Sequence, residues 1–190
     1  MKKLSPLVLV AALTLGWQTA QATTVIPPSF DQLVGQAELI FEGSVTDVRS
    51  QWVGEGAQRH IVSYITFKIE DALKGDPGQS YTIRMFGGKV DGDAMGISDA
   101  PEFKVGDDDI LFVENNGSQV VPLVGLMHGR FHVKKDQSGR EIVTGHDGEA
   151  VKNVARLGGM HTAAAPDQAE TTLTAADFKA AVRSKLQAAP

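Results

Sequence analysis

The chain has no cysteine among its 190 residues. That excludes disulfide bonds and thiolate catalysis, and it restricts any metal site to His, Asp and Glu. Positive charge is also short: 18 Lys and Arg against 23 Asp and Glu give a formal charge of -5. Long-range attraction to nucleic acid or to an anionic membrane surface is therefore not expected. No segment beyond the N-terminus is long and apolar enough to span a bilayer as a helix. Several catalytic signatures are missing from the sequence as well. There is no G-x-S-x-G elbow, no HExxH, no phosphate-binding Walker loop and no G-x-G-x-x-G opening a helix.

What is present begins with an address. Lys2 and Lys3 precede the apolar run Leu7–Leu15, and Ala20-Gln21-Ala22 is a small-x-small cleavage site. Residues 1–22 are expected to be a secretory signal peptide removed after Ala22. The protein is then secreted or periplasmic, with no membrane anchor after cleavage and, lacking cysteine, no lipid anchor. Loss of Lys2 and Lys3 takes the charge from -5 to about -7. Composition is that of a folded chain, at 42% hydrophobic and 22% charged.

The stretch from Phe103 to Val133 organises the rest. Ile110-Leu111-Phe112-Val113 is apolar at both parities, so both faces of this strand are expected to be covered, which makes it central. Asn115-Asn116-Gly117 turns the chain into Val120–Val124, read as a further strand over 119–124, and Phe131 and Val133 alternate with Arg130, His132 and Lys134. Earlier, Ser29 caps a short helix over 29–36, and Leu39, Phe41 and Val45 alternate with polar residues. Gly43 on the inward parity predicts a bulge or tight bend. Ile61, Ser63, Ile65, Phe67 and Ile69 form one face of the clearest strand, and Tyr81, Ile83 and Met85 mark another. Residues 87–102 read as a long loop, which is commonly functional. Residues 151–172 read as a flexible linker. A last helix spans 173–188, with Thr174 as N-cap, Asp177 at N3 and an apolar stripe of Phe178, Ala181, Val182 and Leu186. That stripe is too narrow to stand alone and must dock, on the barrel or on another protein.

Short strands with little helix and no βαβ rhythm predict an all-β domain over 23–150: a small OB-like antiparallel barrel with a short N-terminal helix and a C-terminal amphipathic helix, or alternatively a β-sandwich. Ile65, Phe67, Ile110 and Phe131 are expected to meet in one interior. The residues Leu73-Lys74-Gly75, Gly87-Gly88, Pro101-x-Phe103-x-x-Gly106-Asp107, Leu111-Phe112-Val113, Val124-Gly125 and Gly129-x-Phe131-x-Val133 resemble a family of uncharacterised secreted bacterial proteins. The resemblance covers about residues 37–145 and the terminal helix. It implies an OB-like barrel, with a distant fold analogy to the N-terminal domain of tissue inhibitors of metalloproteinases. Those inhibitors depend on an N-terminal cysteine that this chain lacks.

Asp91, Asp93, Asp99 and Glu102 fall at calcium-loop spacing, with Gly96 at the turn position. Met95 occupies a ligand position and the flanks read as strands, so an ordinary polar β-loop competes with Ca²⁺ binding; no other cofactor is expected. His128 and His132 sit four apart, but on a strand that separation is about 13 Å, too far to share zinc. His60, His146 and His161 read as solvated, and Asp107-Asp108-Asp109 as a charged strand start. Trp52, Tyr64 and Phe86 are the candidate ligand-binding residues on the barrel surface.

The leading expectation is an exported, non-catalytic binding module for a protein, peptide or glycan. The alternatives are a metal-dependent hydrolase using the loop carboxylates, and an inhibitor or escort of a secreted protease.

Overall fold

The structure, a computed structural model, describes residues 26–159 and 171–188. The expected signal peptide over 1–22 lies outside the described residues, as does the middle of the expected linker. No described helix is long and apolar enough to cross a membrane.

The described residues are all-β with two α-helices. Helix α1 (Phe30–Gln36) begins at Ser29, whose hydroxyl accepts from the Gln32 amide while the Gln32 side chain accepts from the Ser29 amide. Both orphan donors are satisfied by this capping box. Two fifteen-residue strands follow, β1 (Leu39–Val53) and β2 (His60–Lys74), then β3 (Ser80–Phe86). A two-stranded hairpin, β4 (Gly88–Val90) and β5 (Asp93–Met95), precedes β6 (Asp108–Val113), β7 (Arg130–Lys135) and β8 (Glu141–Thr144). Helix α2 (Ala175–Ala188) ends the described chain.

The main sheet runs β3-β2-β1-β6-β7-β8, all antiparallel. Its ladder does not close, so the expected barrel is a curled open sheet; the other sheet among the described residues is the small β4–β5 hairpin, which lies against β1 and β2 and is too small to be the second layer of a sandwich. Both edges are nonetheless covered. On β3, the Asn116 carboxamide accepts from the Arg84 amide and donates to the Thr82 carbonyl, standing in for a neighbouring strand. On β8, the Val143 amide donates to the Leu173 carbonyl. Covered edges suppress pairing with other chains. Residues 119–124 do not form a strand. Pro122 has no N–H to give, and the segment divides its bonds: Val120 accepts from Phe86, Pro122 accepts from Glu114, and Val124 donates to Phe112.

Strand β1 bends where expected. Its register with β2 shifts between Glu42 and Gly43, and a Cβ on Gly43 would lie 2.7 Å from the Lys68 carbonyl oxygen. Only glycine permits that backbone approach.

Two apolar cores result, one on each side of β6. Leu111 and Val113 join Phe41, Val45, Ile65, Phe67, Ile83, Phe103 and Leu123 inside the curl. Ile110 and Phe112 face the other way, into a core with Ile40, Phe131, Val143, Phe30, Leu33, Phe178 and Val182. The expected common interior of Ile65, Phe67, Ile110 and Phe131 is therefore split in two. The strand's double apolar parity was the cause: a strand covered on both faces belongs to two cores, and Phe131 follows Ile110, its register partner.

Helix α2 seals the second core. Phe178 is fully buried, with its ring 4.9 Å from Phe131, 6.1 Å from Phe30 and 6.3 Å from Phe112. The stripe docks on this sheet, and charges fix its register. Lys179 pairs with Glu42 and lies 3.0 Å from Asp71, while Arg183 reaches Asp71 at 2.6 Å. Burial pushes Asp71 upward, but hydrogen bonds from Lys179 and Arg183 outweigh it and hold the carboxyl below its ordinary value. Residues 151–159, expected to open the linker, are tied in: Val151 is buried, and its amide donates to Val143 while its carbonyl accepts from Leu173.

Candidate functional site

The residues singled out as a surface aromatic set do not converge. Trp52 pairs in register with Ile61, whereas Phe86 pairs with Val62 and Tyr64 with Arg84. Adjacent residues 61 and 62 point to opposite faces, so Trp52 is on one side of the sheet and Tyr64 and Phe86 on the other. Each ring is half-buried and two are already engaged: Arg59 stacks over Trp52 at 4.2 Å, and His60 stacks on Phe86 at 5.7 Å.

The loop carboxylates do not gather either. Asp91-Gly92 forms the turn of the β4–β5 hairpin, with φ of 52° and 92° at the two positions, as a tight hairpin turn requires. Asp93 is already in β5 and Asp99 occupies a separate turn. Asp91, Asp93, Asp99 and Glu102 are all exposed, and among the described residues no three His, Asp or Glu side chains are placed to hold a metal ion. A hairpin spreads alternate side chains apart, where a calcium loop would wind them inward.

The acidic run 107–109 does start a strand, and Asp108 is exposed, but Asp107 and Asp109 are not solvated charges and Arg130 is not on a wet face. Asp109 is fully buried and Arg130 is only 3% exposed. The Arg130 guanidinium donates through Nε to Asp109 at 3.0 Å, through Nη2 to Asp107 at 2.7 Å and through Nη1 to the Glu102 carbonyl at 2.6 Å. Its plane also lies 3.9 Å over the Phe103 ring. One side chain thus fastens the 102–107 segment to β6 and β7. His132 Nδ1 sits 2.8 Å from the other Asp109 oxygen, at ion-pair distance but without hydrogen-bond geometry.

Beside this network opens a cleft of about 980 Å³. Its volume is at the upper end of the range for small-ligand sites. Among the described residues four parts line it: the lead-in Pro27-Pro28, Leu33 of α1, the turn and strand start 128–131, and the segment 145–159. The apolar floor is Leu33, Phe131, Val151 and Leu157; the polar rim includes His128, His146, Asp147, Glu149 and Lys152.

Local structure sets the rim. Leu126–Gly129 is a 3-10 turn entered through Gly125 and Leu126, both at positive φ, and it lifts His128 out of the strand. Thr144 pairs with Ala150 and the Gly145 amide donates to the Glu149 carbonyl, closing a small hairpin that carries His146. Asp147 accepts from the Glu149 amide at 3.0 Å and so stiffens this loop. The two imidazoles meet edge to face, with ring centres 4.5 Å apart and planes at 82°. Burial, and then the neighbouring His146, hold His128 below the ordinary histidine value, with the Asp147 carboxylate opposing them.

Along the chain the histidine nearest His128 is His132. The fold brings His128 to His146 instead, eighteen positions on by number. The available signal was that both histidines adjoin glycines, Gly129 and Gly145, at breaks in strand pattern. No protein-family model, curated protein or solved structure matches the chain.

Proposed function

We propose that the protein is an exported, non-catalytic binding module that holds a peptide or glycan segment in the cleft between residues 27–28, 128–131 and 145–159. The cleft itself carries this reading: a large concavity with an apolar floor and a rim of imidazole, carboxylate and ammonium groups, the composition from which ligand sites are built. Among the described residues the lining contains no serine, threonine or cysteine to act as a nucleophile, which supports binding over acyl-transfer chemistry. Export rests on the signal-like segment before Ala22. The floor belongs to the second core, so the site is preorganised by the same packing that docks α2.

The test uses the mature chain, 23–190, against a random peptide library and an oligosaccharide array. Ala150 lines the cleft and is only half-buried, so Ala150→Trp fills the site without entering the core. Selected ligands should bind this variant at least about tenfold more weakly, a loss of roughly 1.4 kcal/mol, with little change in melting temperature. Tyr64→Ala should leave binding intact. Ligands indifferent to Ala150→Trp and lost with Tyr64→Ala would move the site to the sheet face and refute this reading.

A further inference from the structure

Among the groups on the rim of the cleft, the imidazole pair is the most specific in its chemistry. His128 comes from the turn before β7 and His146 from the hairpin after β8, so two independent segments deliver them to one spot. A cation bound to an imidazole nitrogen at about 2.0–2.1 Å lies about 3.2 Å from the ring centre. Two imidazoles sharing that cation at right or tetrahedral angles then have centres about 4.5–5.2 Å apart. The observed separation is 4.5 Å.

Simple ring packing also reaches that distance, since aromatic pairs span about 4.5–7 Å. What sets this pair apart is access: His146 is exposed and both rings line the open cleft, where a cation can reach them. Asp147 follows His146 directly and also lines the cleft, so a carboxylate adjoins the pair in the chain. One of its oxygens is committed to the Glu149 amide.

We propose that His128 and His146 together bind one divalent transition-metal cation, of the Zn²⁺, Ni²⁺ or Cu²⁺ class, at the rim of the cleft. Imidazole nitrogen suits these borderline ions, whereas Ca²⁺ and Mg²⁺ require oxygen sets that this rim does not assemble. No third His, Asp or Glu converges on the pair among the described residues. Two protein ligands leave coordination positions open to water or to an oxygen of a bound ligand, as in sites that keep an exchangeable position. The inference rests on the reading of the cleft as a binding site and gives it a metal-dependent component.

The experiment uses the tag-free mature chain, stripped with a chelator and titrated with Zn²⁺, Ni²⁺ and, as a hard-ion control, Ca²⁺. Side-chain nitrogen resonances of the five histidines are followed by NMR, and affinity is measured by calorimetry. The His128 and His146 signals should respond together to Zn²⁺ and Ni²⁺ at one equivalent, with no response to Ca²⁺. His128→Gln or His146→Gln should each weaken binding by more than the about tenfold that losing an outer-shell partner costs. His132→Gln should have no effect. Unchanged His128 and His146 signals under excess Zn²⁺, or equal loss in His132→Gln, would overturn the proposal. Peptide or glycan binding measured in chelator separates the two claims: its persistence without any metal response removes the metal site and leaves the cleft.

Discussion

Replacing Phe178 with alanine should lower the unfolding free energy by about 3–5 kcal/mol, the range for deleting a fully buried phenylalanine. The ring is 0% exposed and touches the rings of Phe30, Phe112 and Phe131, which come from α1, β6 and β7. Those neighbours sit on rigid elements and cannot collapse into the hole. The loss therefore includes both the transfer of the ring to water and the residual cavity. Because Phe131 also floors the cleft, ligand binding should weaken in parallel. Urea denaturation of the mature chain measures the first effect through its midpoint at unchanged slope. A loss below about 1 kcal/mol, typical of a surface substitution, would mean that α2 does not seal the second core.

Arg130→Met should cost a similar amount, about 3–5 kcal/mol, for a different reason. Methionine fills much of the same volume and keeps contact with Phe103, so packing is largely preserved. What it leaves behind is the Asp109 carboxylate, fully buried and stripped of its main counter-charge. Asp107 and the Glu102 carbonyl lose their donors in the same step. The second substitution Asp109→Leu in the Arg130→Met background should recover a large part of the stability, because replacing both members of a buried pair by apolar groups is far less costly than removing one. Denaturation of the single and double variants completes the cycle. Equal instability in the two would show that packing, rather than stranded charge, sets the cost.

These two sites also mark what the sequence conveyed and what it did not. The stripe of α2 was legible because helical spacing is a local property: Phe178, Ala181 and Val182 repeat on one face whatever they touch. The cap at Ser29, the bend at Gly43 and the double-sided strand Ile110–Val113 were legible for the same reason. Arg130 was misread because alternation along β7 assigned it the parity of Lys134, and alternation says nothing about whether a loop covers that face. Residues 102–107 do cover it, and they are distant in sequence. The hairpin at Asp91-Gly92 carried its own signal, an Asp-Gly pair between short segments, but acidic spacing suggested a calcium loop. His128 and His146 had no shared local pattern at all. Their meeting depends on the β7–β8 pairing, which brings Thr144 opposite His132 and so carries the next turn back toward the start of β7.

The account stands on α2 being an integral wall of the domain, since it seals the core whose side chains floor the cleft. Amide hydrogen exchange of the mature chain tests this directly. At pH 7 the amides around Phe178 and Val182 should share the protection factors of those in β6, opening only with global unfolding. Asp71 is held below its ordinary value, so its contribution is complete above about pH 4 and declines as the pH falls through its folded value. Protection of α2, corrected for intrinsic rates, should then fall before that of β6 in acid. Fast exchange throughout α2 at pH 7, with β6 still protected, would contradict the account.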